Sequence, residues 1–326
     1  GMIIDLIARP LIKRHANGKV RPRRTVLAAL LLWLGCIVSA LIYGHHQLAN
    51  TPGASTPDSQ VAVIGIVQTN VSQDNKIRST AEQKMQNFAR LLELSEQSAA
   101  DHPKPDLIVW PETMVPYPIN DEMIDLAKAG ILNEPFDKLI PEMRERVQQH
   151  SDRFDIPLMV GSPARGFREH ERTMNSALFV TPGSESLPRY SKMHLVPMGE
   201  YIPGPTWLRE MFLKHLSPYD FDYTVEPGEG IVIFEVPSKG DAPNLRLATP
   251  ICYEDAVAIQ CRKMVYGNNG IKRADLLLNL TNAGWYQSAH QRYQHLQLAV
   301  MRCIENRVPM ARSVNTGVSG MIDSAG

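Results

Sequence analysis

A thiol, a carboxylate and an ammonium at Cys252, Glu112 and Lys192 stand in settings suited to covalent catalysis. In Leu247-Ala-Thr-Pro-Ile-Cys-Tyr-Glu-Asp255 an apolar, strand-like run ends at Cys252, and Glu254 and Asp255 open a helix-like stretch from Ala256 to Tyr266. A side chain at such a turn is held at the carboxyl edge of a sheet, beside the free N–H groups and positive dipole end of a helix. That setting favours a thiolate nucleophile. It equally suits a cysteine that is only a small buried hydrophobe. Glu112 follows Asp106-Leu-Ile-Val-Trp110 directly, shielded by Trp110 and Pro111, where a carboxylate can take up a proton; a solvated loop acid fits the same position. Lys192 lies between Tyr190 and the apolar Met193, Leu195 and Val196. There a fixed ammonium could hold a developing oxyanion, or simply snorkel to the surface.

Composition removes several alternatives. Among 326 residues, 34 Lys and Arg balance 34 Asp and Glu, so no polybasic surface points to nucleic acid. The apolar share of 44% is ample for a buried core in one large or two modest domains. Cys36, Cys252, Cys261 and Cys303 have neither metal-ligand nor CxxC spacing. Phosphate-binding glycine loops and HExxH motifs are missing too.

The amino end differs from the rest. Residues 25–44 carry no charge and are long enough to cross a bilayer core of about 30 Å as a helix. Arg9, Lys13, Arg14, Lys19, Arg21, Arg23 and Arg24 precede this stretch, and the next Lys or Arg is Lys76. The positive-inside rule therefore predicts a cytoplasmic basic segment over 1–24, a transmembrane helix over 25–44 and an extracytoplasmic remainder. Pro52, Gly53, Ser55, Pro57 and Ser59 mark 45–60 as a linker to a domain over 61–326.

Within that domain, buried-strand runs fall at 61–68, 106–110, 157–161, 174–180, 230–236, 245–251, 274–280 and 308–314. Helical spacing fits 79–98, 143–154, 256–266 and 291–306. Strands alternating with helices, with hairpin-like pairs in the middle, predict an α/β fold with mixed sheet. Residues 204–216 place Trp207, Leu208, Met211, Phe212 and Leu213 in an apolar stripe, as in an interfacial helix or lid, or in a helix packed on the domain.

Taken together, VWPET, YSKMHLVPMGEYIP and PICYED resemble the three catalytic segments of the nitrilase, or carbon–nitrogen hydrolase, superfamily. The resemblance extends over about 61–326, including Leu280-Thr-Asn-Ala-Gly-Trp285 and Val314-Asn-Thr-Gly317. It implies a four-layer α-β-β-α sandwich, here preceded by a transmembrane helix, and a Glu112–Lys192–Cys252 triad that needs no metal or cofactor. Within the superfamily, HLVPMGEYIP, ICYED and the run from Asn282 to Asp323 are most similar to the apolipoprotein N-acyltransferases of bacterial inner membranes. That branch implies a phospholipid acyl donor, a membrane setting with the catalytic domain on the periplasmic side, and an apolipoprotein whose lipid-modified amino-terminal cysteine accepts the chain. It also implies that Glu200 orients Lys192 or the acceptor amine, that Tyr253 and Glu254 flank the nucleophile, and that Trp285 lines the pocket. Those relatives carry further membrane helices before this one and more sheet plus a closing helix after Asp323, so the domain reads as C-terminally incomplete. Two other functions stay open: a membrane-anchored amidase that hydrolyses a small amide with the same triad, and a non-catalytic, incomplete domain.

Overall fold

The computed structural model describes residues 23–50, 62–71, 79–167, 171–217, 222–238, 243–285 and 288–326. Most of the expected basic segment 1–24 and linker 45–60 lies outside them. The chain divides into two units, Gly1–Ser59 and Gln60–Gly326. In the first, helix α1 (Arg23–Asn50) runs six residues beyond the apolar stretch. Its Leu31, Leu32, Trp33, Leu41 and Ile42 are exposed. Residues 26–50 are long and apolar enough to cross a bilayer.

The second unit is built on two five-stranded sheets. Strands β1 (Ile64–Ile66), β2 (Leu107–Val109), β3 (Leu158–Gly166), β4 (Arg172–Val180) and β5 (Arg189–Ser191) make one sheet in that order, the first three parallel and the rest antiparallel. Strands β6 (Ile233–Val236), β7 (Leu245–Ala248), β8 (Leu276–Thr281), β9 (Met310–Val314) and β10 (Gly320–Ile322) make the other. Its inner pairs β7–β8 and β8–β9 are parallel and its outer pairs antiparallel.

The period-two alternation of strand side chains then sets the layers. Leu107, Val109, Met159, Ala177 and Phe179 point into a core shared with Phe234, Val236, Leu247 and Leu277 of the other sheet. Their neighbours Ile108, Trp110, Leu158, Val160, Leu178 and Val180 face Phe88, Leu91, Met143 and Val147, which lie on helices α2 (Ala81–Ala100) and α4 (Phe136–Phe154). Helices α6 (Ala258–Val265) and α7 (Ala289–Asn306) bring Met264, Val265, Ala299 and Cys303 to the second sheet. The result is the expected α-β-β-α sandwich. Two shorter helices, α3 (Asp121–Lys128) and α5 (Thr206–His215), lie in connections.

Local chemistry fixes the element ends that matter. A capping box starts α2, with Gln83 N–H donating to Thr80 Oγ1 at 3.2 Å and Thr80 N–H to Gln83 Oε1 at 3.0 Å. Helix α4 begins at Phe136, seven residues before the expected 143, because Pro141 within it conceals the earlier turns from a periodicity reading. The expected continuous helix over 256–266 is instead a 3₁₀ turn, Cys252–Ala256, followed by α6. Short elements α3, β5 and β10 have too few residues to show a period.

Candidate active site

Glu112 is delivered by the chain leaving β2. Residues 111–113 lie flat against β3 because position 161 is glycine: a Cβ there would stand 2.1 Å from Pro111 O and 2.8 Å from Glu112 Cα. The carbonyl of Gly161 accepts from Met114 N–H and Val115 N–H at 3.0 and 3.1 Å, and Thr113 takes a positive φ of 48° to make the turn. The carboxylate, almost entirely buried, is then fixed at both oxygens. Asn175 Nδ2 donates to Oε1 at 2.7 Å, and Asn282 N–H donates to Oε2 at 2.8 Å. A solvated loop acid is thereby excluded.

Lys192 follows edge strand β5, yet it is only 1% exposed. Its Nζ lies 2.7 Å from the Glu200 carboxylate and 3.9 Å from Glu112 Oε1, so it does not snorkel. Burial opposes its charge, but Cys252, Glu112 and Glu200, with the Glu200 hydrogen bond, hold its pKa above the ordinary lysine value. Glu200 is itself anchored by Val196 N–H at 2.9 Å. A second glycine packs here: Gly228 donates to Lys192 O at 2.8 Å, and a Cβ on it would stand 2.1 Å from Ser191 O.

Cys252 occupies the turn after β7 with φ of 50°. The expected thiolate is not supported. The 3₁₀ turn has no long helix to supply a dipole, and burial, reinforced by the charges of Glu112 and Glu200, pushes the thiol up to about 12 against the opposing pull of Lys192. The sulfur is therefore held as a thiol with a carboxylate and an ammonium in electrostatic range, and a nucleophilic role would require a base at the moment of attack. Asn279 Nδ2 steadies the turn by donating to Pro250 O at 3.0 Å and Cys252 O at 3.3 Å.

Glu254 is fully buried and accepts four hydrogen bonds. Oε1 receives Tyr190 Oη–H and Met193 N–H at 2.8 Å and His194 N–H at 3.0 Å, while Oε2 receives Ile251 N–H at 2.8 Å. These donors bracket Lys192 on one side and Cys252 on the other, so Glu254 ties the two segments together. Burial pushes its carboxyl above the usual range while the donors pull it back. Tyr253 is partly exposed and stacks on His194 at 6.3 Å between centroids. Trp285, in a 3₁₀ turn over Ala283–Trp285, is 52% exposed and is not a core indole. Cys261 and Cys303 are buried in helices, as core residues.

Sequence reasoning passed over the asparagines. Asn175, Asn279, Asn282 and Asn315 are all buried, and all four stand in or directly after strands. A buried amide in an apolar strand needs polar partners, and that is the signal that could have found them. Asn315 binds Thr69, Val71 and Asn282, the residue whose N–H holds Glu112.

Residues 60–326 match the carbon-nitrogen hydrolase family. An apolipoprotein N-acyltransferase of Geobacter metallireducens is 28% identical over 317 residues, covering 97% of this chain and 53% of that protein. Apolipoprotein N-acyltransferase 2 of Treponema denticola is 32% identical over 230 residues, 68% of this chain and 38% of its own length. The chain thus spans about half the length, or less, of the curated relatives it matches. Among solved structures, a CN-hydrolase superfamily protein of Xanthomonas campestris aligns with a TM-score of 0.53 at 22% identity, covering 80% of this chain and 82% of that one. Saccharomyces cerevisiae Nit3, of the nitrilase superfamily, aligns with a TM-score of 0.53 at 16% identity, covering 84% and 86%. By its family match and its sandwich of two mixed sheets, the chain belongs to the carbon-nitrogen hydrolase family.

Proposed function

We propose that this domain transfers a fatty acyl chain from a phospholipid, through a Cys252 thioester, to the amino-terminal amine of a lipid-modified apolipoprotein. The observation that carries the chemistry is the convergence of Glu112, Lys192 and Cys252 from three distant segments, with Lys192 Nζ 3.9 Å from Glu112. The similarity to apolipoprotein N-acyltransferases favours this acyl donor and acceptor.

Glu112 takes the thiol proton as Cys252 Sγ attacks the ester carbonyl. The tetrahedral oxyanion is held by Lys192 and a backbone N–H beside the nucleophile, that of Tyr253. Collapse expels the lysophospholipid alkoxide, which recovers the proton from Glu112, and leaves a thioester. The acceptor amine then attacks the thioester carbonyl and yields a proton to Glu112. The second tetrahedral adduct breaks its C–S bond to give an amide and the original thiol, with ping-pong kinetics. Glu200 keeps Lys192 in place, and Glu254 keeps the two reacting segments in register.

Membrane attachment fits the same function. The exposed apolar surface of α1 suits a bilayer, and the basic residues before it favour an inner-membrane orientation with the domain on the periplasmic side. Helix α5 buries none of its side chains and leaves Trp207 and Met211 exposed, as are Met198 and Tyr201 of the Lys192 segment, which suits a lid at a lipid surface.

Incubation with phosphatidylethanolamine, read by intact mass, tests the proposal. A long-chain acyl adduct that disappears in Cys252→Ala supports it. Turnover of a small amide without any such adduct replaces it with an amidase, and neither outcome rejects both.

A further inference from the structure

Below the nucleophile turn lies a buried charge cluster that the chemistry above does not use. Asp255, three residues after Cys252, is fully buried with His295 and Arg312, which are 4% and 3% exposed. His295 Nε2 of α7 meets Asp255 Oδ1 at 2.7 Å, and Arg312 Nη1 of β9 meets Oδ2. Arg302, also on α7, donates to Ala256 O at 3.1 Å, pinning the end of the same turn.

Strand β9 also reaches the base. Arg312 pairs in register with Asn279, whose amide holds Cys252 O. The next residue points to the opposite face, where Ser313 Oγ donates to Val67 O at 3.3 Å and Val109 O at 3.2 Å, on the first sheet near the origin of the Glu112 turn. One strand thus touches the nucleophile's turn on one face and the base's strand on the other.

An ion pair taken fully out of water, here Asp255 with Arg312, is a poor device for stability, because apolar residues of similar volume commonly serve as well or better. It is a good device for holding one geometry. On the reading of Cys252 as nucleophile, we infer that Asp255, clamped between His295 and Arg312, is a positioning residue that holds Cys252 in its left-handed turn in register with Glu112.

The test compares the full chain with a triple variant, Asp255→Leu/His295→Leu/Arg312→Met, which removes the charges together and strands none, and with His295→Leu and His295→Gln singly. Folding is checked by circular dichroism. Site-resolved mass spectrometry then follows iodoacetamide labelling of Cys252, Cys261 and Cys303 at pH 8, without lipid. A positioning clamp predicts that the folded triple variant and His295→Leu label Cys252 at least about tenfold faster and form acyl adduct at least about tenfold more slowly at unchanged KM. His295→Gln, which keeps a hydrogen bond to Asp255, should return both rates toward the parent. Parental Cys252 labelling in the folded variants, or equal acceleration at all three cysteines, overturns the inference and leaves the cluster as packing alone. A triple variant that fails to fold overturns it too, because the cluster is then required by the fold itself. Since labelling needs no lipid, a chain that forms no acyl adduct defeats the proposed reaction while the clamp is still decided.

Discussion

Lys192 pairs with Glu200 at 2.7 Å, well inside its 3.9 Å separation from Glu112. The ammonium therefore has a resident counter-charge other than Glu112, so on the proposed mechanism Lys192 keeps its closest ion pair when Glu112 takes up a proton. Glu200→Gln should keep the bond from Val196 N–H yet loosen Lys192. Acyl-adduct formation is expected to fall by about 10²-fold, the scale of losing one oxyanion contact. An adduct rate within a factor of about three of the parent would remove Glu200 from the site.

The thiol at about 12 gives a second prediction. Because the thiolate is the reactive form, iodoacetamide labelling of Cys252 should climb steadily from pH 7 to 9 with no plateau. Glu112 raises this pKa and Lys192 lowers it. Glu112→Gln should therefore move the labelling curve to lower pH while abolishing acyl transfer, and Lys192→Met should move it to higher pH. Curves that shift together, or a plateau near pH 7, would show that these charges do not govern the sulfur.

Gly161→Ala tests the seat of Glu112, the proposed base. The added methyl would overlap Pro111 O, so the Glu112 turn must lift away from β3. Loss of stability by about 1–3 kcal/mol is expected from overpacking. Acyl transfer measured on the folded fraction should fall as well. Unchanged activity per folded molecule would show that Glu112 tolerates the displacement.

Trp207→Ala with Phe212→Ala addresses the lid. Activity on phospholipid vesicles should drop several-fold by loss of apolar area at the interface, while Cys252 labelling by iodoacetamide stays at the parental rate. Equal loss of both would instead place α5 among the supports of the site.

His150 offers a check on stability. Its ring is buried beside Phe154 at 4.9 Å, and burial lowers its pKa below the usual histidine value. The folded chain thus holds it neutral where the unfolded chain takes up a proton. That contribution is complete above the unfolded value near 6.5 and is lost as pH falls below it. The melting temperature should decline from pH 7 to pH 5, less steeply in His150→Phe. Identical slopes in the two proteins would assign the decline to other groups.

Much of this architecture is legible in the sequence, because the inner strands are apolar runs and the two helices packed on the first sheet carry a 3.6-residue period. The site residues were readable as chemistry at strand ends: Glu112 after Trp110, Lys192 amid apolar neighbours, Cys252 before Glu254 and Asp255. What stayed hidden depends on tertiary placement. The state of the Cys252 thiol is not legible, because the 3₁₀ turn and the burial around it are set by Asn279 and Glu254, not by local propensity. Asn175 stays hidden because a single polar residue in a strand says nothing, by itself, about which distant carboxylate it will meet, and Asn282 because it is its backbone N–H, which any non-proline residue carries, that holds Glu112.

Glu112 springs from the first sheet and Cys252 from the second, and the seam between the two sheets is filled by Val109, Met159, Ala177 and Leu247. On the proposed mechanism, reactivity is therefore a property of how the two halves stack, and neither half alone holds both the sulfur and its base. Any slippage along that apolar seam would part sulfur from carboxylate while each half kept its own hydrogen-bonded ladder. On that mechanism, acyl transfer on warming should be lost before the chain melts.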